Sequence, residues 1–259
     1  METQPIQTKF KYLNETQFKK LCAHIAKKPL KAALSGILPG WGTVKDLVPE
    51  VYNQTDNDCT ANAVALAYRI ASKDKQFIPS RRYIYWHERL IEDNNDPNLV
   101  QDEGASPIDG LDWLSQHGVC SESLWPYLES NLNSIPPPIC ENDALKHKIG
   151  GSSQLHVNNI NAIKQALLRR VSVIAAIAVY ESFESETCLK TGVIPIPKPG
   201  ETLLGYHCLL ITGYYDKPSM FTLCNSWSNK VGNGGFFYAK YDYITNPNLT
   251  FAVMCIEKF

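Results

Sequence analysis

The stretch Cys59-Thr60-Ala61-Asn62-Ala63-Val64-Ala65-Leu66-Ala67-Tyr68 decides the fold, because small and apolar residues fill nearly every position and predict a buried helix. This helix begins at Cys59, so the thiol lies at the positive end of the helix dipole, which stabilises a thiolate. His207 opens an apolar strand 207 − 59 = 148 residues downstream, and Asn225 follows 225 − 207 = 18 residues later. Residues this far apart in sequence meet only if the fold brings them together.

Length and composition allow a large core and favour neither a nucleic-acid nor a membrane partner. The chain has 259 residues, 44% of them hydrophobic, which suits one domain or two lobes that share a cleft. The formal net charge is −1 and basic runs are short, so we expect no nucleic-acid partner. No stretch approaches the roughly 20 apolar residues of a membrane span. The polar stretch 1–6 lacks the apolar core of a secretory signal, so we expect an intracellular protein.

Eight cysteines are spread along the chain, and without a secretory signal we expect reduced thiols rather than disulfides. They form no CxxC pair and no cluster with histidine, so the sequence predicts no zinc site, no other metal site and no cofactor. Cys208 and Cys224 lie in apolar strands, and we interpret them as small core residues. His24 and His87 lie on predicted helices beside charged residues, and we interpret them as solvated surface side chains.

The predicted helical half of the chain precedes the predicted β half. Residues 1–40 stand apart, with an amphipathic helix beginning near Asn14 and a turn-rich boundary over 36–42. We predict that 45–54 is extended and that the Pro-, Asn- and Ser-rich stretch 128–156 is a loop. The remaining elements are predicted from periodicity: helices over 108–117 and 161–170, and strands over 171–179, 207–214, 220–225, 235–239 and 251–257. A cleft between the two halves is the place where the cysteine and the histidine would meet.

Cys59, His207 and Asn225 suit a thiol nucleophile activated by an imidazole. Cys59 would be held as a thiolate by the helix end and by protonated His207, which would then protonate the leaving amine. Asn225 can accept a hydrogen bond from the imidazole N–H and so fix the tautomer and direction of the ring. The backbone N–H of Cys59 and the side-chain amide of Gln54 would hold the oxyanion.

Three blocks of sequence resemble the active-site blocks of the papain family of cysteine peptidases. In chain order they are Val51-Tyr52-Asn53-Gln54 with Cys59-Thr60-Ala61-Asn62-Ala63, then Tyr206-His207-Cys208-Leu209-Leu210-Ile211-Thr212-Gly213-Tyr214, then Asn225-Ser226-Trp227 with Gly232-Asn233-Gly234-Gly235-Phe236-Phe237. The separation of Cys59 from His207 also falls within the about 130–150 residues expected of a papain-type cysteine and its downstream partners. The blocks are most similar to the cathepsin B-like branch found in bacteria and large DNA viruses.

The resemblance implies an α+β fold of two lobes, one helical and one β-barrel-like, with the active site in the cleft between them. It implies polypeptide substrates and hydrolysis of their peptide bonds. By the same resemblance, Gly104 and Ala105 would line the substrate backbone and Tyr206 would form part of a pocket wall. Trp227 would cover the hydrogen bond between the histidine and the asparagine. We expect a monomer located inside a cell or in a virus particle.

The segment before the nucleophile departs from the family pattern. Gln54 and Cys59 are 59 − 54 = 5 positions apart, one fewer than is usual, and Thr55-Asp56-Asn57-Asp58 lacks the usual glycines. This loop must therefore follow a different backbone path. Asp58 also places a negative charge beside the nucleophile, which opposes thiolate formation.

We therefore predict a papain-like endopeptidase with a catalytic domain over 41–259. Residues 1–40 are interpreted as a pro-segment or extension that lies across Cys59 and is removed near 36–42, the alternative being a permanent element on the back of the fold. Two other functions stay open, because a fold does not fix a reaction. One is a papain-fold binding module impaired by the altered loop, and the other is a Cys-His-Asn acyltransferase.

Overall fold

The computed structural model describes residues 37–257, so the helix predicted near Asn14 and the surface position predicted for His24 lie outside the described residues. The α-helices in this range are α1 (Cys59–Ala71), α2 (Arg81–Glu92), α3 (Pro107–Gln116), α4 (Pro138–Ala144), α5 (Ile160–Leu168), α6 (Glu186–Thr191) and α7 (Tyr241–Thr245). The strands are β1 (Trp41–Thr43), β2 (Ser152–Leu155), β3 (Val173–Tyr180), β4 (Val193–Ile194), β5 (Leu203–Tyr215), β6 (Met220–Cys224), β7 (Phe236–Lys240) and β8 (Thr250–Ile256). Short 3-10 helices cover Lys45–Leu47, Glu129–Asn131 and Glu181–Glu184.

All eight described strands belong to one sheet, and this sheet is open. Its order is β2-β8-β3-β5-β6-β7-β4, with β1 added to β5. The pairings are antiparallel except that of β4 with β7. The predicted β-barrel-like lobe is therefore wrong in this respect: β2 pairs with β8 at one end and the two-residue β4 pairs with β7 at the other, so the ends do not join.

The sheet is buried on both faces, which explains its nearly continuous apolar strands. Alternate side chains of a strand point to opposite faces. On β3 the two faces are Ile174 and Ala176, which pack with α1, and Val173, Ala175 and Ile177, which pack with α5. Helix α1 is itself buried along almost its whole length, as its small and apolar sequence predicts. The two-lobed arrangement thus places α1 directly against the sheet, and the thiol at its first residue lies beside β5.

Two local predictions are wrong. The stretch 128–156 is not one loop, because it contains a 3-10 helix, α4 and β2. Pro138 occupies the first turn of α4, where its missing N–H costs nothing, and Cys140 and Ala144 bury one face of this helix. His87 is not solvated: only 4% of it is exposed, because its ring stacks on Trp113 of α3 with 3.8 Å between ring centroids.

The two helices predicted over 108–117 and 161–170 and the five predicted strands are confirmed with shifts of their ends. Helix α3 begins after Ser106, whose hydroxyl accepts from the N–H of Ile108, and the chain leaves it through Gly118 at a φ of 84°. The predicted extended stretch 45–54 begins with a 3-10 turn instead. No helix within residues 37–257 is long and apolar enough to cross a membrane.

Candidate active site

Cys59 is the first residue of α1, as the sequence predicts, and its sulfur faces the backbone of β5. Only 1% of the residue is exposed. Hydrogen bonds from the backbone of Cys208 and of Thr60 reach the thiol. Cys208 follows His207 directly, so the Cys59 thiol contacts the strand backbone one residue beyond the histidine.

His207 and Asn225 form the hydrogen bond that the sequence predicts. The distance from His207 Nε2 to Asn225 Oδ1 is 2.7 Å, and the two residues are 0% and 2% exposed. The backbone N–H of Ser226 also donates to Asn225 Oδ1 at 2.8 Å, which identifies this atom as the acceptor. Nε2 of His207 must then carry the proton, and Nδ1 is the nitrogen able to accept one.

Trp227 stacks on the imidazole, with 4.8 Å between the ring centroids of Trp227 and His207 and an angle of 27° between the planes. Phe183 and Phe237 pack edge-on against Trp227. Asn225 is held from the other side by its own N–H, which donates to the carbonyl of Gly235 at 3.0 Å. Aromatic packing and backbone hydrogen bonds therefore fix the imidazole and its amide partner.

Burial keeps both candidate catalytic groups in their neutral forms. Burial, with the neighbouring Asp58 and Glu88 carboxyls acting in the same direction, raises the pKa of the Cys59 thiol to about 12. Burial lowers the pKa of His207 to about 4, against the effect of the Asn225 hydrogen bond, which raises it. The described arrangement therefore holds a thiol and a neutral imidazole at pH 7, and an ion pair requires more water or a substrate dipole at the site.

Gln54 is hydrogen-bonded to Ser226, the residue that follows Asn225. Its N–H donates to the carbonyl of Ser226 at 2.7 Å, and its Oε1 accepts from the Ser226 hydroxyl. Its Nε2 donates to the carbonyl of Asp56 at 3.0 Å, which leaves the second hydrogen of this amide for another acceptor. The shortened loop thus keeps Gln54 tied to the sheet side of the site while Cys59 begins the helix.

The predicted substrate residues lie in both lobes. Gly104 has a φ of 89°, a conformation that favours glycine, and its N–H donates to the Tyr85 hydroxyl at 3.0 Å. Gly104 and Ala105 are buried in the segment that leads to α3. Tyr206 precedes His207 on β5 and packs edge-on against Phe251, with 5.2 Å between ring centroids.

The sequence places Asp58 beside the nucleophile but does not reveal its partner, Arg82. Asp58 is 0% exposed and pairs with Arg82, with 3.3 Å between Nη1 and Oδ2. The sequence does indicate that Asp58 needs a cationic partner, because two aspartates in the loop before a buried helix require a cation from elsewhere. Arg82 comes 82 − 58 = 24 residues later, and nothing in its local pattern indicates this partner.

The other cysteines, histidines and carboxylates that the structure describes form no metal centre. The cysteines at 59, 120, 140, 188, 208, 224 and 255 are free thiols, and Cys208 and Cys224 are buried core residues as predicted. Among residues 37–257 no group of three or more His, Cys, Asp or Glu side chains could hold a metal ion.

Comparison with known proteins identifies the family. A family profile described as "Papain family cysteine protease" matches residues 59–253. The chain belongs to the papain family. It is also similar to an uncharacterized peptidase C1-like protein of Acanthamoeba polyphaga mimivirus, with 31% identity over 218 residues that cover 80% of this chain and 69% of the viral protein.

Solved structures of the papain family share the fold. Xylellain, a cysteine protease from Xylella fastidiosa, has 30% identity and a TM-score of 0.78, covering 96% of this chain and 92% of its own. A procathepsin B from Trypanosoma congolense has 14% identity and a TM-score of 0.67, covering 96% of this chain and 86% of its own, which is a likeness of fold alone. The papain-like fold and the peptidase class are therefore confirmed, and the cathepsin B-like branch stays a prediction.

Proposed function

We propose that this papain-family protein is a cysteine endopeptidase whose nucleophile is Cys59. The observation that carries the proposal is the buried hydrogen bond of 2.7 Å between His207 Nε2 and Asn225 Oδ1, beside a thiol at a helix N-terminus. Asn225 fixes the imidazole tautomer of His207, and the Cys59 thiol lies against the backbone of the next residue of β5, Cys208. This is the order of contacts that activates a thiol.

The reaction needs protons to pass through Nδ1 of His207 in both of its halves. Cys59 Sγ attacks the carbonyl carbon of the scissile peptide bond while its proton passes to Nδ1 of His207. The C–N bond then breaks as the imidazolium gives this proton to the leaving amine, and a thioester on Cys59 remains. Water attacks the thioester, His207 accepts a proton from the water and returns it to the thiolate, and the carboxylic acid leaves.

The oxyanion formed in each addition step would be stabilised by two N–H groups. One is the backbone N–H of Cys59, which lies in the first turn of α1 and has no partner within the helix. The other is the second hydrogen of the Gln54 amide, whose first hydrogen is held by Asp56. Gly104 and Ala105 would bind the substrate backbone, and Tyr206 and Trp227 would bound the cleft on the sheet side.

We also propose that residues 1–40 are a pro-segment over the catalytic domain 41–259. Cys59 and His207 are 1% and 0% exposed, which supports a form of the protein in which a polypeptide does not yet reach them. The solved relative from Trypanosoma congolense is named as a proenzyme. Limited proteolysis over 36–42 should then raise peptidase activity, and a chain that begins at Trp41, folds and is no more active than the full chain would refute the pro-segment.

The peptidase proposal is tested by the release of new α-amines from a denatured protein. Cys59→Ala should abolish release while leaving the thermal unfolding midpoint nearly unchanged, because it removes one small group. Cys188→Ala is the matched control, since it removes an equally buried thiol of the sheet lobe and should keep activity. Acyl transfer to an added amine without net α-amine release would favour the acyltransferase, and no reaction of either kind would favour a binding module.

A further inference from the structure

Two carboxylates in the loop before the nucleophile share one guanidinium. Arg82 of α2 contacts Asp56 Oδ2 from Nη2 at 2.6 Å and Asp58 Oδ2 from Nη1 at 3.3 Å. The side chains of Arg82 and Asp58 are 1% and 0% exposed, so water hydrates neither charge. A buried ion pair of this kind loses in desolvation much of what it gains in attraction, so stability alone does not account for it.

The guanidinium is fixed from three sides. Its Nε donates to the carbonyl of Leu128 at 3.1 Å, and its carbon lies 4.1 Å from the ring centroid of Tyr127. Together with the two carboxylates, these contacts engage all three nitrogens of the guanidinium and one face of its plane. Arg82 therefore holds the loop to the body of the helical lobe through both of its carboxylates.

Asp58 faces polar groups from every element packed against it. From α1 the amide of Asn62 donates to Asp58 Oδ1 at 3.0 Å, and from the loop after α3 the hydroxyl of Tyr127 bonds to the carboxylate. From α2 come the charges of Arg82 and, further away, of Arg81. Asp56 is the remaining charged group nearby, and it acts in the opposite direction to the two arginines.

Two other groups of α2 lie within electrostatic reach of Asp58 and do not offset it. Tyr85 and Glu88 are buried, and burial raises the pKa of each well above its ordinary value, which favours the neutral forms. Arg82 is thus the cation in contact with Asp58, and Asp58 is the carboxylate next in sequence to Cys59.

A chain of contacts leads from Arg82 to the oxyanion donor. Arg82 holds the side chain of Asp56, and the carbonyl of Asp56 accepts from the Gln54 amide at 3.0 Å. The other end of that amide accepts from Ser226, whose N–H donates to Asn225 Oδ1. Movement of Asp56 would therefore displace the Gln54 amide.

We propose that Arg82 is a positioning residue for the nucleophile loop. Arg82 offsets the charge of Asp58 beside Cys59, and it fixes Asp56, whose carbonyl accepts from the Gln54 amide. The inference rests on the proposed role of Cys59 as nucleophile. The loop 55–58 contains no glycine, so its backbone lacks the conformational freedom that glycines would give. The contacts of Arg82 with Asp56 and Asp58 fix its path instead. Arg82 also removes most of the electrostatic penalty that Asp58 imposes on a thiolate.

The test is the rate at which iodoacetamide alkylates Cys59 in the full chain as a function of pH, read at Cys59 by peptide mass spectrometry. A neighbouring charge moves a pKa by about one unit or more, so at pH 9, well above the pKa of about 6 of Asp58, Arg82→Gln should lower the rate about tenfold, and Asp58→Asn should raise it by a similar factor. Arg82→Lys keeps the charge without the fork and should keep most of the thiol reactivity while lowering kcat.

Arg89→Gln is the matched control, because Arg89 is another buried arginine of α2 but donates to Leu132 and Asn133 instead of the nucleophile loop. It should lower the unfolding midpoint without moving the alkylation profile. If Arg82→Gln does not fold, Asp58→Asn decides alone, since it keeps Arg82. An unchanged profile in Asp58→Asn, or the same shift in Arg89→Gln as in Arg82→Gln, would overturn the proposal. Thiol reactivity is measured without a peptide substrate, so failure of the peptidase proposal shows separately in the Cys59→Ala assay.

Discussion

His207 and Asn225 are held by the backbone of a sheet, whereas the loop before Cys59 is held mainly by side chains. Asn225 directly follows β6, which pairs with β5, and its N–H bonds to Gly235. In the loop, the N–H of Thr55 donates to the Tyr127 hydroxyl and the N–H of Asn57 donates to Asp102. The backbone hydrogen bonds of a sheet form with many different side chains. A loop held by side-chain contacts and charges instead depends on the identity of each contacting residue.

The difference predicts how each region responds to change. Substitutions on the sheet side should act through the reacting groups themselves, because the strands keep their places. Substitutions in the loop should act through position and charge, and should therefore depend on pH. The three predictions that follow probe this contrast in order of expected effect.

The largest loss should come from His207→Ala. The imidazole is the proton carrier in each step, and one acid–base group contributes about 10²–10⁴-fold to a rate. We expect kcat/KM to fall by that factor with the fold intact. His156→Ala, an exposed histidine in a turn, is the control and should change nothing. Retention of a third of the activity by His207→Ala would exclude this histidine as the acid–base group.

Gln54→Ala should have a smaller effect that tests whether the shortened loop still presents an oxyanion donor. Loss of one such donor costs about 10²–10³ in kcat. Gln154→Ala, on the edge strand β2, is the control for loss of a glutamine amide. If kcat falls less than about threefold in Gln54→Ala, the amide points away from the reacting carbonyl and the loop side of the site is impaired.

The smallest effect should be on stability, through Asp58. Burial raises the pKa of this carboxyl from 3.8 to about 6, so the folded protein binds its proton more tightly than the unfolded chain does. The corresponding stabilisation is complete below pH 3.8 and is lost as the pH rises through about 6. Asp58→Asn lacks this pH-dependent loss. The difference in free energy of unfolding, variant minus wild type, should therefore increase from pH 4 to pH 7.5, by up to about 3 kcal/mol. Chemical denaturation at the two pH values measures it, and a relative decrease would contradict the assignment.

Sequence and structure agree most closely where local pattern and packing point the same way. The start of α1 at Cys59 and the strands β5 and β6 were predictable, because apolar periodicity and the three active-site blocks coincide there. The pairing of His207 with Asn225 followed from the same blocks. A buried apolar strand can be predicted from its own sequence alone.

One failure is local: helix α4 was hidden by its prolines, although Pro138 stands where a helix accepts proline. The other failures concern contacts between segments that are distant in sequence. His87 is buried by Trp113, and Asp58 is paired by Arg82, both from other elements. Whether a sheet closes depends on the pairing of its end strands, β2 and β4, which no single segment of sequence reveals.

Covalent labelling by an epoxide inhibitor of cysteine peptidases tests the central claim most directly. The label should attach to Cys59 alone among the eight cysteines, because this thiol lies at the N-terminus of α1 and His207 would activate it. Peptide mass spectrometry locates the adduct, before and after limited proteolysis over 36–42. We predict one adduct, at Cys59, that increases after proteolysis and is lost in His207→Ala. A folded protein that carries no adduct at Cys59 in either form, or carries it equally on other cysteines, would contradict the account.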